Sequence, residues 1–211
     1  MNDVSNHKHH ERFLPIGIFG PSYVGKTSFG RYLVESGPFR RLPIWTSRPP
    51  RIVENDPDVR FTSEARLIDL SRDEMWLVNK IGPHYYAMSL EECHNMLRDS
   101  HVIVGLTTGI KDSVKQRIPS LFTVLLWPED FHALQKELAE SSEREMSDRQ
   151  VRLAMNVGDT MADLRSDLVL EIARHSDMTK RLTHFAALKE TLLTALAEKS
   201  FYPRKGTEVR K

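Results

Sequence analysis

A three-layer α/β/α fold around a parallel sheet is the architecture this sequence predicts, on three observations. A short apolar run, Leu14 to Phe19, leads into the glycine loop Gly20-Pro21-Ser22-Tyr23-Val24-Gly25-Lys26-Thr27, and a helix then reads from Ser28 to Ser36 before Gly37-Pro38 stops it. Two further runs, His101–Leu106 and Leu121–Trp127, are almost continuously apolar, as strands covered on both faces are. Strand-like and helical segments alternate along the chain without an internal repeat, which calls for parallel strands joined by crossover helices on both sides of a sheet.

The glycine loop matches G-x-x-x-x-G-K-[ST] at every fixed position, with a strand before it and a helix after it. Gly20 and Gly25 let the backbone curl so that successive N–H groups point inward at phosphate oxygens. The helix N-terminus adds partial positive charge at the same spot. The expected ligand is ATP, held by Gly20 through Thr27 and by Ser28, with Lys26 on the β- and γ-phosphates and the Thr27 hydroxyl on Mg²⁺. A ligand at the carboxyl end of the first strand is where open parallel sheets bind.

Length and composition fit this reading. The 211 residues suit one α/β domain with a small insert, and 40% hydrophobic residues are enough for a core. A net charge of +1 gives no overall pull towards nucleic acid or membrane, so any anion binding must be local. The single cysteine, Cys93, forbids an intrachain disulfide and reads as a small buried apolar residue, since nothing nearby marks an activating base. No run approaches bilayer-spanning length, and Met1–Arg12 is polar without a signal-peptide core. A soluble cytoplasmic protein is expected, monomeric or homodimeric. His7, His9 and His10 belong to the polar segment and read as a solvated tail, having no acidic or cysteine companions.

In order, Leu42–Ser47 reads as a second strand, and Arg48-Pro49-Pro50-Arg51 then breaks regular structure. Glu54–Asp58 is an acidic loop and Arg60–Thr62 a short strand. Ser63 caps a helix to about Leu70. Met75–Lys80 and Tyr85–Met88, separated by Gly82-Pro83, predict a hairpin-like unit, and Ser89 opens a helix with Glu91 and Glu92 in its first turn. Helices follow over Gly109–Arg117 and from Pro128, the latter with Phe131, Leu134 and Leu138 on one stripe. Ala139–Arg152 is almost wholly polar and reads either as a solvated helical surface or as a mobile lid over phosphate. Asp167–Ile172 is a last strand. The final helix puts Leu182, Phe185, Leu188, Leu192, Leu193 and Leu196 on one apolar face, and a basic tail closes the chain.

Several segments in the right order resemble the guanylate kinase family of P-loop nucleoside monophosphate kinases. Gly20-Pro21-Ser22 with Gly25-Lys26-Thr27 resembles G-P-S-G-x-G-K-[ST]. Thr46-Ser47-Arg48-Pro49-Pro50-Arg51 resembles T-T-R-x-P-R, the segment that grips the acceptor's phosphate. Gly82-Pro83-His84-Tyr85-Tyr86-Ala87-Met88-Ser89 resembles G-N-Y-Y-G-T-S with one inserted residue, and Arg152-Leu153 followed by Asp159 resembles R-L-x-x-A-x-x-E. Phe122–Pro128 resembles the family strand that ends in two prolines. The resemblance spans about residues 14–190. It implies a five-stranded parallel core within about 13–200, flanked by tails 1–12 and 201–211. It also implies a monophosphate-binding insert across about 46–100 and a helical lid across about 139–158. Transfer of the γ-phosphoryl of ATP to a small phosphorylated acceptor, by default a nucleoside monophosphate such as GMP, is the implied activity. Lys26, Arg48 and Arg152 would be catalytic, with Ser47, Arg48, Arg51, Tyr85, Tyr86 and Ser89 at the acceptor and no nucleic-acid or membrane partner. Arg144 and Arg149 are further lid arginines; Tyr85 and Tyr86 read equally well as core.

The sequence departs from this pattern in the acceptor pocket. Asp58 is followed by Val59 where the family has a phosphate-contacting tyrosine. The guanine-reading glutamate falls on Trp76 or Leu77, with Glu74 in range only if the loop shifts. The strand ending in D-I-D-x-Q-G is Val104-Gly105-Leu106-Thr107-Thr108-Gly109, without a carboxylate. Two other readings therefore stand beside the first. One is a kinase of ribose 1,5-bisphosphate. The other is a non-catalytic guanylate kinase-like module for phosphopeptides, although such modules typically lose the phosphate loop that is intact here.

Overall fold

The computed structural model describes residues 13–21, 24–50, 56–140, 165–173 and 177–201. Five strands form an all-parallel sheet: β1 (Pro15–Phe19), β2 (Phe39–Arg41), β7 (His101–Gly105), β8 (Phe122–Pro128) and β9 (Leu168–Ile172), in the order β2-β7-β1-β8-β9. Four more make a smaller sheet, ordered β4-β3-β6-β5, from β3 (Ile44–Thr46), β4 (Val59–Phe61), β5 (Trp76–Ile81) and β6 (His84–Ser89).

Helices α1 (Lys26–Ser36), α2 (Glu64–Leu70), α3 (Leu90–Met96), α4 (Lys111–Arg117), α5 (Phe131–Glu140) and α6 (Met178–Phe201) connect and cover them. One apolar cluster joins α1 and α6 to the large sheet through Phe29, Leu33, Phe185, Leu192 and Ile16. A second joins α3 and α4 to it through Cys93, Met96, Val104, Val114 and Leu125. The sheet is therefore sandwiched between helix layers, as its continuously apolar strands require. Among the described residues no helix is long and apolar enough to cross a membrane.

Local chemistry explains most of the boundaries. Ser63 caps α2 by accepting from the Arg66 N–H, and Ser89 caps α3 by accepting from the Glu92 N–H. The hairpin between β5 and β6 turns at Gly82, whose φ of 58° is left-handed. Asp167 anchors the entry to β9: its carboxylate accepts from Lys115 Nζ (2.8 Å), Lys199 Nζ (2.7 Å), and the Thr123 N–H (2.8 Å) and hydroxyl (2.7 Å). Burial alone would raise its pKa, but these hydrogen bonds outweigh burial and hold it well below the usual carboxylate range.

Two expectations need correction. The strand expected over Leu42–Ser47 is confined to Ile44–Thr46, and a separate strand, Phe39–Arg41, precedes it. Phe39–Arg41 pairs with β7 in the large sheet, the Leu42 N–H makes the last bond there (to Ile103 O, 2.9 Å), and Ile44–Thr46 starts the small sheet. Pro43 lies at the break because it has no N–H to continue the ladder. On α6, Phe185, Leu188, Leu192 and Leu196 are buried, but Leu182 is 46% exposed. It lies in the helix's opening turns with exposed Met178, before the stretch that packs on α1 and β9. The side chain of Leu138 and the expected lid beyond residue 140 lie outside the described residues.

Candidate active site

The glycine loop leaves β1 at its carboxyl end and enters α1. At Gly20, φ is +143°, and a Cβ there would lie 2.2 Å from the Leu126 carbonyl oxygen of β8. Only glycine allows the chain to turn that close to a neighbouring strand. Gly25 is also left-handed, at φ +103°, and immediately precedes α1. The first bond of the helix runs from the Phe29 N–H to Gly25 O (2.9 Å), so the N–H groups of Lys26, Thr27 and Ser28 have no acceptor within the helix. No acidic residue occupies the first turn, and Thr27 and Ser28 are exposed. Lys26 Nζ folds back over the loop, donating to Gly20 O (2.9 Å) and Pro21 O (2.6 Å). An ammonium above a helix N-terminus, with a hydroxyl beside it, is a donor set suited to a polyphosphate and its divalent cation. Val24 is buried beneath the loop, while Ser22 and Tyr23 lie outside the described residues.

A cavity of about 250 Å³ opens between this helix N-terminus and the small sheet. Lys26, Thr27 and Gly30 contribute from α1, Gly105 and Thr107 from the end of β7, and Ile44, Ile81, Tyr86 and Met88 from the insert. Strand alternation decides which insert residues reach it. Ile44, Val59 and Tyr86 face the cavity, so Phe61, paired with Thr46 two residues along from Ile44 and Val59, shares their face.

Arg48 is buried against this face, its guanidinium 5.6 Å from the Phe61 ring centroid and donating to Pro49 O (2.9 Å). Its backbone N–H donates to Thr46 Oγ1, and Ser47 Oγ accepts from the Tyr85 N–H (2.9 Å), which pins the start of the arginine segment to β6. Arg48 is not part of the cavity lining itself.

Of the residues expected at the acceptor, then, Tyr86 lines the cavity, while Ser47 and Arg48 lie in the segment after β3, outside its lining. Tyr85 and Ser89 lie on the opposite face of the small sheet. Tyr85 packs under Lys80 Nζ at 5.2 Å, and Ser89, opposite Trp76, caps α3. Adjacent strand residues cannot share a face, so Tyr85 and Tyr86 cannot both read one ligand from this strand. Arg51, Arg144, Arg149 and Arg152 lie outside the described residues. Where the family pattern has carboxylates, Val104 is buried in the core and Leu106, also buried, lines the cavity.

Of the charged residues lining the cavity, sequence reasoning missed two, Arg41 and Asp56. Arg41, the last residue of β2, makes a forked pair with Asp56 of the insert, Nη1 to Oδ1 at 2.9 Å and Nη2 to Oδ2 at 3.0 Å; Nη1 also lies 3.1 Å from Asp58 Oδ2. Asp56 further accepts from the Asp58 N–H (3.2 Å) and lies 4.0 Å from Arg31. Burial opposes its ionisation, but the bond and charge of Arg41 prevail and lower its pKa; at Asp58 burial prevails and raises it. The signal was available only as an arginine ending one strand and an acidic loop fifteen residues later.

Cys93 is buried and burial pushes its thiol up to about 11, in line with a packing role.

A five-stranded parallel sheet with a glycine loop at the end of β1 and a small sheet facing it is a P-loop kinase-like fold. Among solved structures, the guanylate kinase from Anaplasma phagocytophilum aligns over 86% of this chain and 87% of that one, with a TM-score of 0.60 at 11% identity. Its fold is thus the one this chain shares. A shikimate kinase from Bacteroides thetaiotaomicron aligns over 85% and 98% of the two chains at 13% identity, with a TM-score of 0.43, a looser match. Neither a protein-family model nor a curated protein matches the sequence.

Proposed function

We propose that this protein is an ATP-dependent phosphotransferase that moves the γ-phosphoryl group of ATP to a small acceptor already carrying a phosphate, with a nucleoside monophosphate as the acceptor class. The observation that supports it most is the shared cavity: the Lys26 and Thr27 end of the glycine loop faces the insert that carries Arg48. The acceptor's phosphate oxygen is anionic at neutral pH, so the step needs neutralised charge and alignment more than a base. That oxygen attacks the γ-phosphorus while the bond to the ADP oxygen breaks, and ADP leaves with the electron pair.

In this scheme Lys26 exchanges the carbonyls of Gly20 and Pro21 for phosphate oxygens. The N–H groups at the start of α1 hold the polyphosphate. Arg48 grips the acceptor's phosphate with the planar fork that suits it, and Arg51 and Arg152 are the further arginines assigned to this task. A bound Mg²⁺, for which Thr27 is the ligand offered by the loop, would neutralise charge on the β- and γ-oxygens. The small sheet closes over the acceptor and limits water at the reacting phosphorus.

A coupled assay of ADP release across nucleoside monophosphates and ribose 1,5-bisphosphate tests the proposal. Turnover with at least one acceptor, lost in Lys26→Ala, is expected. ATP binding without phosphorylation of any of them would favour the non-catalytic module.

A further inference from the structure

Helices and strands disfavour glycine, so a glycine that stands in one without a backbone reason points to a need for space. Two such glycines line the cavity: Gly30, in the interior of α1, and Gly105, the last residue of β7. Neither has the left-handed φ found at Gly20 and Gly25. A Cβ fits at both positions. At Gly30 it would touch only the Arg41 stem among the described residues, Cδ at 3.7 Å and Nε at 3.8 Å; at Gly105 it would touch only Ile44 Cδ1, at 3.4 Å. These are contacts rather than clashes, so neither Arg41 nor Ile44 requires a glycine beside it.

Both absent side chains would project into the cavity. Gly30 follows Lys26 by four residues and Thr27 by three, so it shares their face of α1, one turn further along. A helical Cβ tilts towards the N-terminus, and a side chain at position 30 would lean back over the turn that carries Lys26 and Thr27. On β7, Gly105 shares a face with Ile103, another cavity residue, because strand residues two apart point the same way. Bare backbone therefore bounds the cavity twice, once on α1 beside the donor loop and once on β7 opposite Ile44 of the insert. The fold forgoes stability at both places, and the room it keeps lies where the acceptor must meet the donor's phosphates.

We propose that Gly30 and Gly105 are specificity-determining residues for the acceptor, whose body lies directly against these two stretches of backbone. The inference rests on the phosphotransferase reading above and concerns the shape of its acceptor site. Its test pairs steady-state transfer from ATP to GMP, AMP, UMP, dTMP and ribose 1,5-bisphosphate with thermal unfolding of the same proteins. Gly30→Ala removes a glycine from a helix interior, so its melting temperature is expected to rise by about 1–4 °C. For the acceptor that wild type turns over, its KM is expected to rise at least about fivefold while the ATP KM holds. Gly105→Ala is expected to raise the acceptor KM in the same way. Gly109→Ala is the control: that glycine lies outside the cavity lining, with open space where its Cβ would go, and both KM values should stay at wild type. A fall in stability with both KM values rising together would mark Gly30 and Gly105 as structural and overturn the inference. So would an acceptor KM unchanged in both variants, and the kinase reading would stand as long as Lys26→Ala abolished transfer. Failure of wild type to phosphorylate any of the five acceptors would remove both.

Discussion

Replacing Gly20 by alanine tests the loop on which the site is built. The added Cβ would lie 2.2 Å from the carbonyl oxygen of Leu126 and 3.2 Å from its carbonyl carbon. That is about 1 Å inside ordinary contact. The obstacle is backbone in β8, which is paired with β1 on one side and β9 on the other, so it cannot swing away. Alanine at a φ near +143° adds a strain of about 1–3 kcal/mol, and the overlap adds a similar cost. Together they predict a loss of roughly 2–6 kcal/mol, or a melting temperature lower by roughly 5–20 °C for a chain of this size. Gly17→Ala is the internal comparison. Its Cβ meets a methyl of the Leu106 side chain at 2.5 Å, which rotation can relieve, so a smaller loss is expected. Thermal unfolding by circular dichroism, with ATP affinity measured on the folded protein, reads both. A Gly20→Ala protein melting within about 2 °C of wild type with ATP affinity intact would refute the reasoning, as would a costlier Gly17→Ala.

Three more perturbations separate stability from function. Asp167→Asn should cost about 2–4 kcal/mol, since Lys115, Lys199 and Thr123 lose a shared charged acceptor. The folded-state pKa of Asp167 is lowered, so its stabilisation is complete above the unfolded value near 3.8 and is lost as pH falls through the folded value. Urea midpoints of wild type should therefore drop more steeply below about pH 4 than those of the variant; parallel profiles would contradict the assignment. Cys93, buried with its thiol raised to about 11, should react with a thiol reagent at pH 8 only as fast as the protein unfolds, and rapid labelling of folded protein would exclude this packing. Arg41→Met removes the cation that contacts both Asp56 and Asp58, leaving Arg31 at 4.0 Å from Asp56, and loosens the hold of the acidic loop on β2. The KM for the acceptor is expected to rise several-fold while that for ATP changes little; an equal change in both would mean a general loss of structure.

Much of the large sheet was legible because its strands announce themselves. His101–Gly105 and Phe122–Pro128 are covered on both faces, so composition alone marks them. The loop from Gly20 to Thr27 was legible for a different reason, since its chemistry fixes residue types at fixed spacing. Short strands were harder. Phe39–Arg41 has three residues and no alternation to read, and Pro43 reads in sequence as part of one strand, whereas it divides two sheets. The acceptor cavity was least legible, because its wall is assembled from both sheets. Arg41 and Asp56 meet only through tertiary folding, and which of Tyr85 and Tyr86 faces inward depends on the register of β6 with β3 and β5. The missing carboxylates at Val104 and Leu106 were visible in sequence, but that Val104 is packed core while buried Leu106 lines the cavity needed the fold.

The central claim is that Lys26 and Arg48 serve opposite sides of one transferred phosphoryl group. Steady-state transfer of labelled γ-phosphate from ATP, measured for wild type, Lys26→Ala and Arg48→Ala over a matrix of ATP and acceptor concentrations, tests it most directly. The account predicts that Lys26→Ala abolishes transfer, and that Arg48→Ala raises the acceptor KM at least about tenfold while the ATP KM holds, in keeping with the loss of a charge-assisted contact of about 1.5–3 kcal/mol. Transfer that survives Lys26→Ala, or an Arg48→Ala protein whose acceptor KM matches wild type, would contradict it.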